Sequence, residues 1–385
     1  LCSGYSAAGT YLLQFLKHPR EYINWPEAAL LAAQRLNDRE AEGKHSEDLG
    51  NIYILLGEFY RAINYYEKAL AIAREISDRQ GEVAALVGLG NVYVGIGKSH
   101  LARQTLERAL AIARETNDYR NEAAVLGSLG NAYVELDEPD RAIELYEECL
   151  TIHRKMKDRQ GEGLALANIG RTYTVLGNPY EGIDFLEKAL TAAREIGDYR
   201  TEGAILGNLG SAYASTIGKT HQAIEIFERA LTIAYETGDS RSEKYILTNL
   251  GHIYNNLGKH LKAIEFYTQC WTVALETYDK QSEGDALGNI GLAYLKHGDR
   301  KNASNYLYAA QGVFIESNLP TPIVFTATLD LLSKSGCLIA IFVAFLKLRS
   351  PYISPSRARR RRRLRKELEN YYSSFQSLTD EDDLD

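Results

Sequence analysis

Apolar and small side chains recur along this chain at helical spacing, three or four residues apart. One segment carries Leu126, Leu129, Gly130, Tyr133 and Leu136, and the next carries Ala142, Ile143, Tyr146 and Leu150. This spacing places the apolar residues on one face of an α-helix. Because a short breaker separates the two segments, the pattern predicts a hairpin of two amphipathic helices.

The hairpin pattern repeats with a period of forty residues. A Gly-x-x-Tyr element marks each copy, at Gly50/Tyr53, Gly90/Tyr93, Gly130/Tyr133, Gly170/Tyr173, Gly210/Tyr213, Gly251/Tyr254 and Gly291/Tyr294. One extra residue falls within 214–218, where a turn can absorb it. A fixed period of this length predicts an all-α array of stacked helix pairs.

Each repeat has recurring residues at its boundaries. A breaker such as Leu56-Gly57 or Leu176-Gly177 separates the two helices, and glycine suits a helix end because it tolerates a left-handed backbone. An Asp precedes each first helix, where its carboxylate can accept bonds from open amides. These residues are Asp38, Asp78, Asp118, Asp158, Asp198, Asp239 and Asp279. A Glu follows four residues later in every copy, which suits the positive end of the helix dipole.

The four cysteines indicate buried filling rather than redox or metal chemistry. Cys149 and Cys270 occupy the position that Ala69 has in its repeat, so we expect small buried side chains there. Cys2 and Cys337 lie too far from the others to form a Cys-x-x-Cys pair. The count is too low for a disulfide scaffold, and this favours a reducing, cytoplasmic compartment.

The succession Leu-Gly-x-x-Tyr, Gly, Ala-x-x-x-Tyr/Phe and Ala-Leu resembles the tetratricopeptide repeat, whose standard period is 34 residues. The additional residues lengthen the helices. This long form is similar to the arrays of Pins-type adaptors, kinesin light chains and the sensors of bacterial signal-transducing NTPases. The resemblance implies a right-handed α-solenoid of stacked antiparallel helix pairs, a tetratricopeptide superhelix, that binds proteins and has no catalytic activity.

We therefore expect four regions. Residues 38–317 form seven repeats, and residues 1–37 are either a degenerate repeat acting as an N-terminal cap or the junction to an upstream domain. Residues 318–349 form a capping and apolar helix, and residues 350–385 form a disordered tail with a basic run and then an acidic end. Because Leu1 is not methionine, we expect a processed product or a fragment of a longer chain.

The resemblance also implies which residues face a partner. In the family, the positions one after and two before the Gly line the concave side, and here they include Asn51, Asn91, Asn131, Asn168, Arg171, Asn208, Asn249, His252 and Asn289. A row of Asn amides can hold the backbone of an extended peptide. Alternatively, these amides bond to neighbouring helices and connect one repeat to the next.

The positions three before the Gly are small in most copies, at Gly127, Ala167, Gly207 and Gly288, which leaves room for a guest chain. Pins-type arrays carry basic residues six before the Gly, where this chain has Ala84, Ala124, Leu164, Ala204, Tyr245 and Asp285. Selection of a strongly acidic ligand in that manner is therefore not expected.

Charge singles out the C-terminal tail. The chain has 44 basic and 51 acidic residues, a net charge of -7, which argues against a nucleic-acid-binding protein. The tail breaks this balance with Arg359, Arg360, Arg361, Arg362 and Arg363. The run fits a plain disordered tail, an anionic membrane surface, or else nucleic-acid binding or nuclear targeting. The uncharged segment 336–346 beside it favours a location peripheral to a membrane.

No motif of an enzyme or a cofactor is present. Gly97-Lys98-Ser99 and Gly218-Lys219-Thr220 lack the first glycine of a phosphate-binding loop, and the histidines have no metal-binding spacing. The sequence thus predicts a noncatalytic scaffold without metal or cofactor, which binds a protein or peptide. Alternatives are the sensor arm of a signal-transducing NTPase and an adaptor recruited to a membrane by its tail.

Overall fold

A computed structural model describes residues 23–317 and 319–333, which form helices and contain no strand. The helices are α1 (Asn24–Leu36), α2 (Arg39–Leu55), α3 (Phe59–Glu75), α4 (Arg79–Gly95), α5 (Ser99–Glu115), α6 (Tyr119–Glu135), α7 (Pro139–Met156), α8 (Arg159–Val175), α9 (Pro179–Glu195), α10 (Tyr199–Ala214), α11 (Thr220–Thr237), α12 (Ser240–Asn256), α13 (His260–Thr277), α14 (Lys280–His297), α15 (Arg300–Glu316) and α16 (Ile323–Ser333). The predicted all-α class is confirmed.

The chain divides into two compact units, Leu1–Ile246 and Leu247–Asp385, with the boundary inside α12. In the first unit, each first helix from α2 to α10 packs on the second helix of its own repeat. Each second helix from α3 to α9 then packs on the first helix of the next repeat, and α2 contacts α4 as α4 contacts α6. These contacts are those of a tetratricopeptide-type α-solenoid of stacked antiparallel pairs, as predicted.

The helix boundaries follow the predicted chemistry. The side chain of each recurring Asp accepts a hydrogen bond, at 3.0 to 3.2 Å, from the backbone N–H three residues later. Gly57 (φ 72°) and Gly177 (φ 83°) end their turns in the left-handed conformation that favours glycine. Both predictions are confirmed.

The core of each repeat lies between its two helices. Large side chains of the second helices are almost fully buried, among them Tyr66, Tyr146, Phe227 and Tyr267. Cys149 and Cys270 are buried, as expected of small fillers. Burial raises the pKa of Cys149 to about 12, so this thiol stays protonated at neutral pH.

The first unit also has a series of glutamates that are buried, as Glu42 and Glu82 are, or half-buried. They are the recurring Glu residues in the first turns of the first helices. Each forms ion pairs with basic side chains that come from one helix or from two. Glu82 accepts from Arg74 at 2.8 Å and from Arg79 at 3.1 Å, and Arg79 also bonds to Glu115 at 2.6 Å. We call Glu42, Glu82, Glu122, Glu162 and Glu202, with their basic partners, the ion-pair ladder. At Glu82, Glu122, Glu162 and Glu202 it joins the end of one repeat to the beginning of the next, whereas the basic partners of Glu42 lie in its own repeat.

The second unit lacks the corresponding arginine. Leu275 stands where the first unit has Arg74, Arg114, Arg154 and Arg194. Its recurring Glu283 is buried and bonds to Lys280 at 2.7 Å. Burial raises the pKa of Glu283, although Lys280 acts in the opposite direction. The single lysine therefore does not offset the effect of burial on the pKa of this glutamate, whereas the arginines do so for Glu82 and Glu162 of the first unit.

Both flanking helices continue the repeat pattern. Helix α1 occupies the place of a second helix, with Pro26 in its first turn and Leu30 and Ala33 buried. Helix α16 begins forty residues after Glu283, in the place of an eighth first helix, and its Phe325 is buried. The other parts of the predicted terminal regions, 1–22 and 334–385, lie outside the described residues.

Candidate functional site

The first helices of the first unit bear a row of polar side chains. The recurring Gly faces the second helix of its own repeat, so that Gly90 lies against Leu106 and Gly210 against Phe227. The next residue is turned by about 100° around the helix, away from that contact. Asn51 and Asn91 are exposed there, and Asn131, Arg171 and Ser211 are half-buried. We call these residues, with the half-buried Asn168 and Asn208 two before the Gly, the amide wall.

Two of the wall amides are held by buried tyrosines, which the sequence analysis did not identify. Tyr66 donates a hydrogen bond to Oδ1 of Asn51 at 2.8 Å, and Tyr146 donates one to Oδ1 of Asn131 at 2.8 Å. Burial raises the pKa of Tyr146 to about 12, although Arg171 acts in the opposite direction. The hydroxyls therefore remain protonated donors, and they fix these two amides within their own repeats.

A further bond connects successive repeats. Arg171 in α8 donates to Oδ1 of Asn131 in α6 at 3.1 Å, so this oxygen accepts from both Tyr146 and Arg171. The alternative interpretation, in which wall residues connect one repeat to the next, thus holds for Asn131 and Arg171. It is not general, since Asn51 bonds within its own repeat.

Other wall amides keep their hydrogen-bonding capacity. Within the described part of the chain, the side chains of Asn91, Asn168 and Asn208 make no hydrogen bond. Beside them, a side chain at Gly127 would meet open space, with no atom within 4 Å. The ring of Tyr245 lies 3.5 Å from the corresponding point on Gly207, so the space there is narrower. The middle of the wall therefore offers both amides and room.

The predicted residues of the second unit lie in a different setting. His252 is on α12 and shares a hydrogen bond of 2.8 Å between its Nδ1 and the hydroxyl of the buried Tyr267. Burial, with a contribution from Lys296, lowers the pKa of His252, which favours its neutral form. Asn249 and Asn289 are half-buried on the first helices α12 and α14.

The space expected at Gly288 is filled by the chain itself. The ring of Phe325 from α16 lies against this glycine and would clash with any side chain there. The expectation of room for a guest at Gly288 is therefore wrong, because the capping helix continues the repeat register and its Phe325 occupies the position forty residues after Asp285.

Residues Arg359–Arg363 and the apolar segment 336–346 lie outside the described residues, so their role stays a prediction. Over the range that is described, no helix has the length and apolar character needed to span a bilayer. The same range holds no cluster of three or more His, Cys, Asp or Glu side chains suited to a metal ion.

Comparison with known proteins gives a consistent result. A family model described as tetratricopeptide repeat matches residues 41–115, 81–155, 162–236 and 245–314. No curated protein sequence matches the chain. Among solved structures, a Rap protein in complex with competence and sporulation factor has a TM-score of 0.58 at 17% identity, over 72% of this chain and 76% of that one.

Two further structures are similar. A plasmid-encoded Rap conjugation gene regulator in complex with the Phr* peptide has a TM-score of 0.55 at 15% identity, over 74% of this chain and 76% of that one. A signal-transduction ATPase with a tetratricopeptide repeat sensor, from Pyrococcus horikoshii, has a TM-score of 0.53 at 20% identity. It aligns with 94% of this chain and 53% of its own. At these identities the likeness concerns the fold.

Proposed function

Because the chain belongs to the tetratricopeptide repeat family, we propose that it is a noncatalytic scaffold that binds an extended peptide or a helix of another protein along the amide wall. The observation that carries this proposal is the set of uncommitted amides on Asn91, Asn168 and Asn208, beside the open space at Gly127. The Phr* peptide in the complex of the similar Rap regulator agrees with a peptide ligand.

An Asn side chain suits this task because it offers two N–H donors and one carbonyl acceptor. Amides on successive first helices can therefore bond to the backbone of an extended ligand without requiring one particular side chain. Each such bond contributes only about 0.5 to 1.5 kcal/mol net, so binding needs several repeats at once.

The test removes two uncommitted amides from the full chain. A phage-displayed library of random linear peptides is selected on the wild-type protein, and the recovered peptides are measured by fluorescence anisotropy. We expect Asn168→Ala with Asn208→Ala to weaken their binding about thirtyfold, as the loss of about two hydrogen bonds implies. Asn131 is unsuitable for this test because it holds Tyr146 and Arg171.

The matched control changes exposed amides on second helices, Asn64→Ala with Gln104→Ala, and should leave the affinity unchanged. If no peptide is recovered, or if the two double variants bind the recovered peptides equally well, the amide wall is not the binding surface.

A second candidate is the sensor arm of a larger signal-transducing NTPase. It is favoured by the similarity to the Pyrococcus horikoshii ATPase, which extends over 94% of this chain. Sequencing the gene upstream of the codon for Leu1 tests it. A nucleotide-binding domain in the same reading frame would support the sensor arm, and a start codon directly before Leu1 would contradict it.

A further inference from the structure

The amide wall is almost free of charge in its central part. Beyond the first turn, that is after Glu82, Glu122, Glu162 and Glu202, the first helices α4, α6, α8 and α10 contain two charged residues, Arg171 and Glu135. Glu135 is the last residue of α6, whereas Arg171 lies directly after Gly170 in the row of the wall. The arginine is therefore the single cation on these four helices beyond their first turns.

Arg171 differs from the arginines of the ion-pair ladder. Arg74, Arg114 and Arg159 each bond to one or more carboxylates. In the described part of the chain, no carboxylate lies within ion-pair distance of Arg171, and the guanidinium donates to the neutral amide of Asn131. A guanidinium has five N–H donors in a planar fork that matches a carboxylate. The half-buried Arg171 thus retains donors for an acid that the described part of the chain does not supply.

The guanidinium of Arg171 is held in position before any ligand binds. Oδ1 of Asn131 accepts from Arg171 at 3.1 Å, and the same oxygen accepts from Tyr146, whose ring is fully buried. A side chain already held in one geometry loses little conformational entropy when it binds. Asn131 and Tyr146 are therefore positioning residues for Arg171.

We propose that Arg171 binds the carboxylate of one Asp or Glu side chain at an internal position of the peptide. This inference rests on the proposed function of the amide wall. The wall continues on both sides of Arg171, with Asn91 in α4 and Asn208 in α10, so a ligand lying along the wall passes the arginine at an internal position. The side chains of the peptide on either side of this Asp or Glu are uncharged, because additional charged groups would lose their hydration without gaining a partner.

The test uses peptides selected from the random library, displayed between linkers so that no free terminus is presented. We expect one internal position to be enriched in Asp or Glu. Replacing that acid by its amide should weaken binding to the wild-type chain about tenfold or more, and to Arg171→Asn less than about twofold. Asparagine is a suitable replacement because Asn51, Asn91 and Asn131 occupy the same position in other repeats.

The control Arg108→Asn removes the same charge from an exposed position of α5 and should retain the preference for the acid. Peptides that bind the wall without any enriched acid, or that bind Arg171→Asn with unchanged preference, would overturn this inference while the proposed function stands. Stronger binding only with a free terminal carboxylate would overturn the internal assignment. If no peptide binds, both proposals fail.

The positioning role has its own readout. Tyr146→Phe removes the hydroxyl that holds Asn131, so the ratio of affinities for the acid and amide peptides should fall about threefold or more. Tyr66→Phe is the matched control, because Tyr66 holds Asn51 in the same manner and the next repeat has Asn91 in place of an arginine. An equal loss of affinity for both peptides would indicate a structural role alone.

Discussion

Gly170→Ala is expected to lower the free energy of unfolding by about 3 kcal/mol, the upper part of the range for overpacking a core. A methyl carbon at this position would lie 2.7 Å from the carbonyl oxygen of Gly182 and 2.7 Å from Cγ of Leu186. The first of these atoms is backbone, so it cannot be displaced by a rotamer change. Helices α8 and α9 would have to separate, and the packing of Leu186 would be lost.

The matched control is Gly127→Ala on the first helix of the preceding repeat. A methyl group there meets no atom within 4 Å, and alanine is the better helix former. We therefore expect Gly127→Ala to raise the stability by about 0.5 to 1 kcal/mol. Urea unfolding followed by circular dichroism measures both variants. Equal effects of the two substitutions would show that helix propensity, and not the approach of the helices, governs these positions.

The contrast between these two glycines shows how far the sequence predicts the fold. The forty-residue spacing of Gly170 and its equivalents predicted an array of helix pairs, and the structure places Gly170 against the backbone of Gly182 in the second helix of its pair. The spacing could not show which atom lies opposite. The side chain opposite the recurring Gly differs from repeat to repeat. It is Leu186 in one copy and the ring of Tyr146 in another.

The wall was predictable only in part. Its Asn residues are visible because they recur at a fixed distance from the Gly. The bonds that hold Asn51 and Asn131 depend on side chains of the second helix, and no local pattern announces them. A signal exists in the comparison of copies. The residue fifteen positions later is Tyr for Asn51, Asn131 and the equivalent His252, whereas it is Leu186 for Arg171. For Ser211, whose repeat has one extra residue, Phe227 follows sixteen positions later.

The acidic residues of the ion-pair ladder could be predicted from the sequence, but their basic partners could not. The recurring Glu is evident from the sequence, where the helix dipole alone explains an acid in the first turn. In four copies one basic partner of this Glu comes from the end of the preceding repeat, as Arg74 does for Glu82. Such a contact depends on the stacking of repeats, and stacking is not encoded in any single helix.

Glu42 is the ladder residue with the strongest pH effect. Burial alone would raise the pKa of Glu42, but hydrogen bonds from Lys68, Gln34 and Arg39 outweigh it and lower the pKa from 4.5 to about 2. Because the folded-state pKa lies below the unfolded value, the carboxylate stabilises the fold above about pH 4.5. This contribution is lost as the pH falls toward 2. The pKa values of Glu82 and Glu162 are lowered as well, so they act in the same direction.

Glu42→Gln should therefore destabilise the chain by about 2 kcal/mol at neutral pH. This is less than the loss for a fully buried pair, because Arg39 and Lys68 keep 36% and 34% of their side-chain surface exposed. The variant should also lose less stability than the wild type between about pH 4.5 and 2. Glu67→Gln, on an exposed position of α3, controls for the change of net charge. Parallel pH profiles of urea midpoints for Glu42→Gln and the wild type would show that Glu42 has no part in acid unfolding.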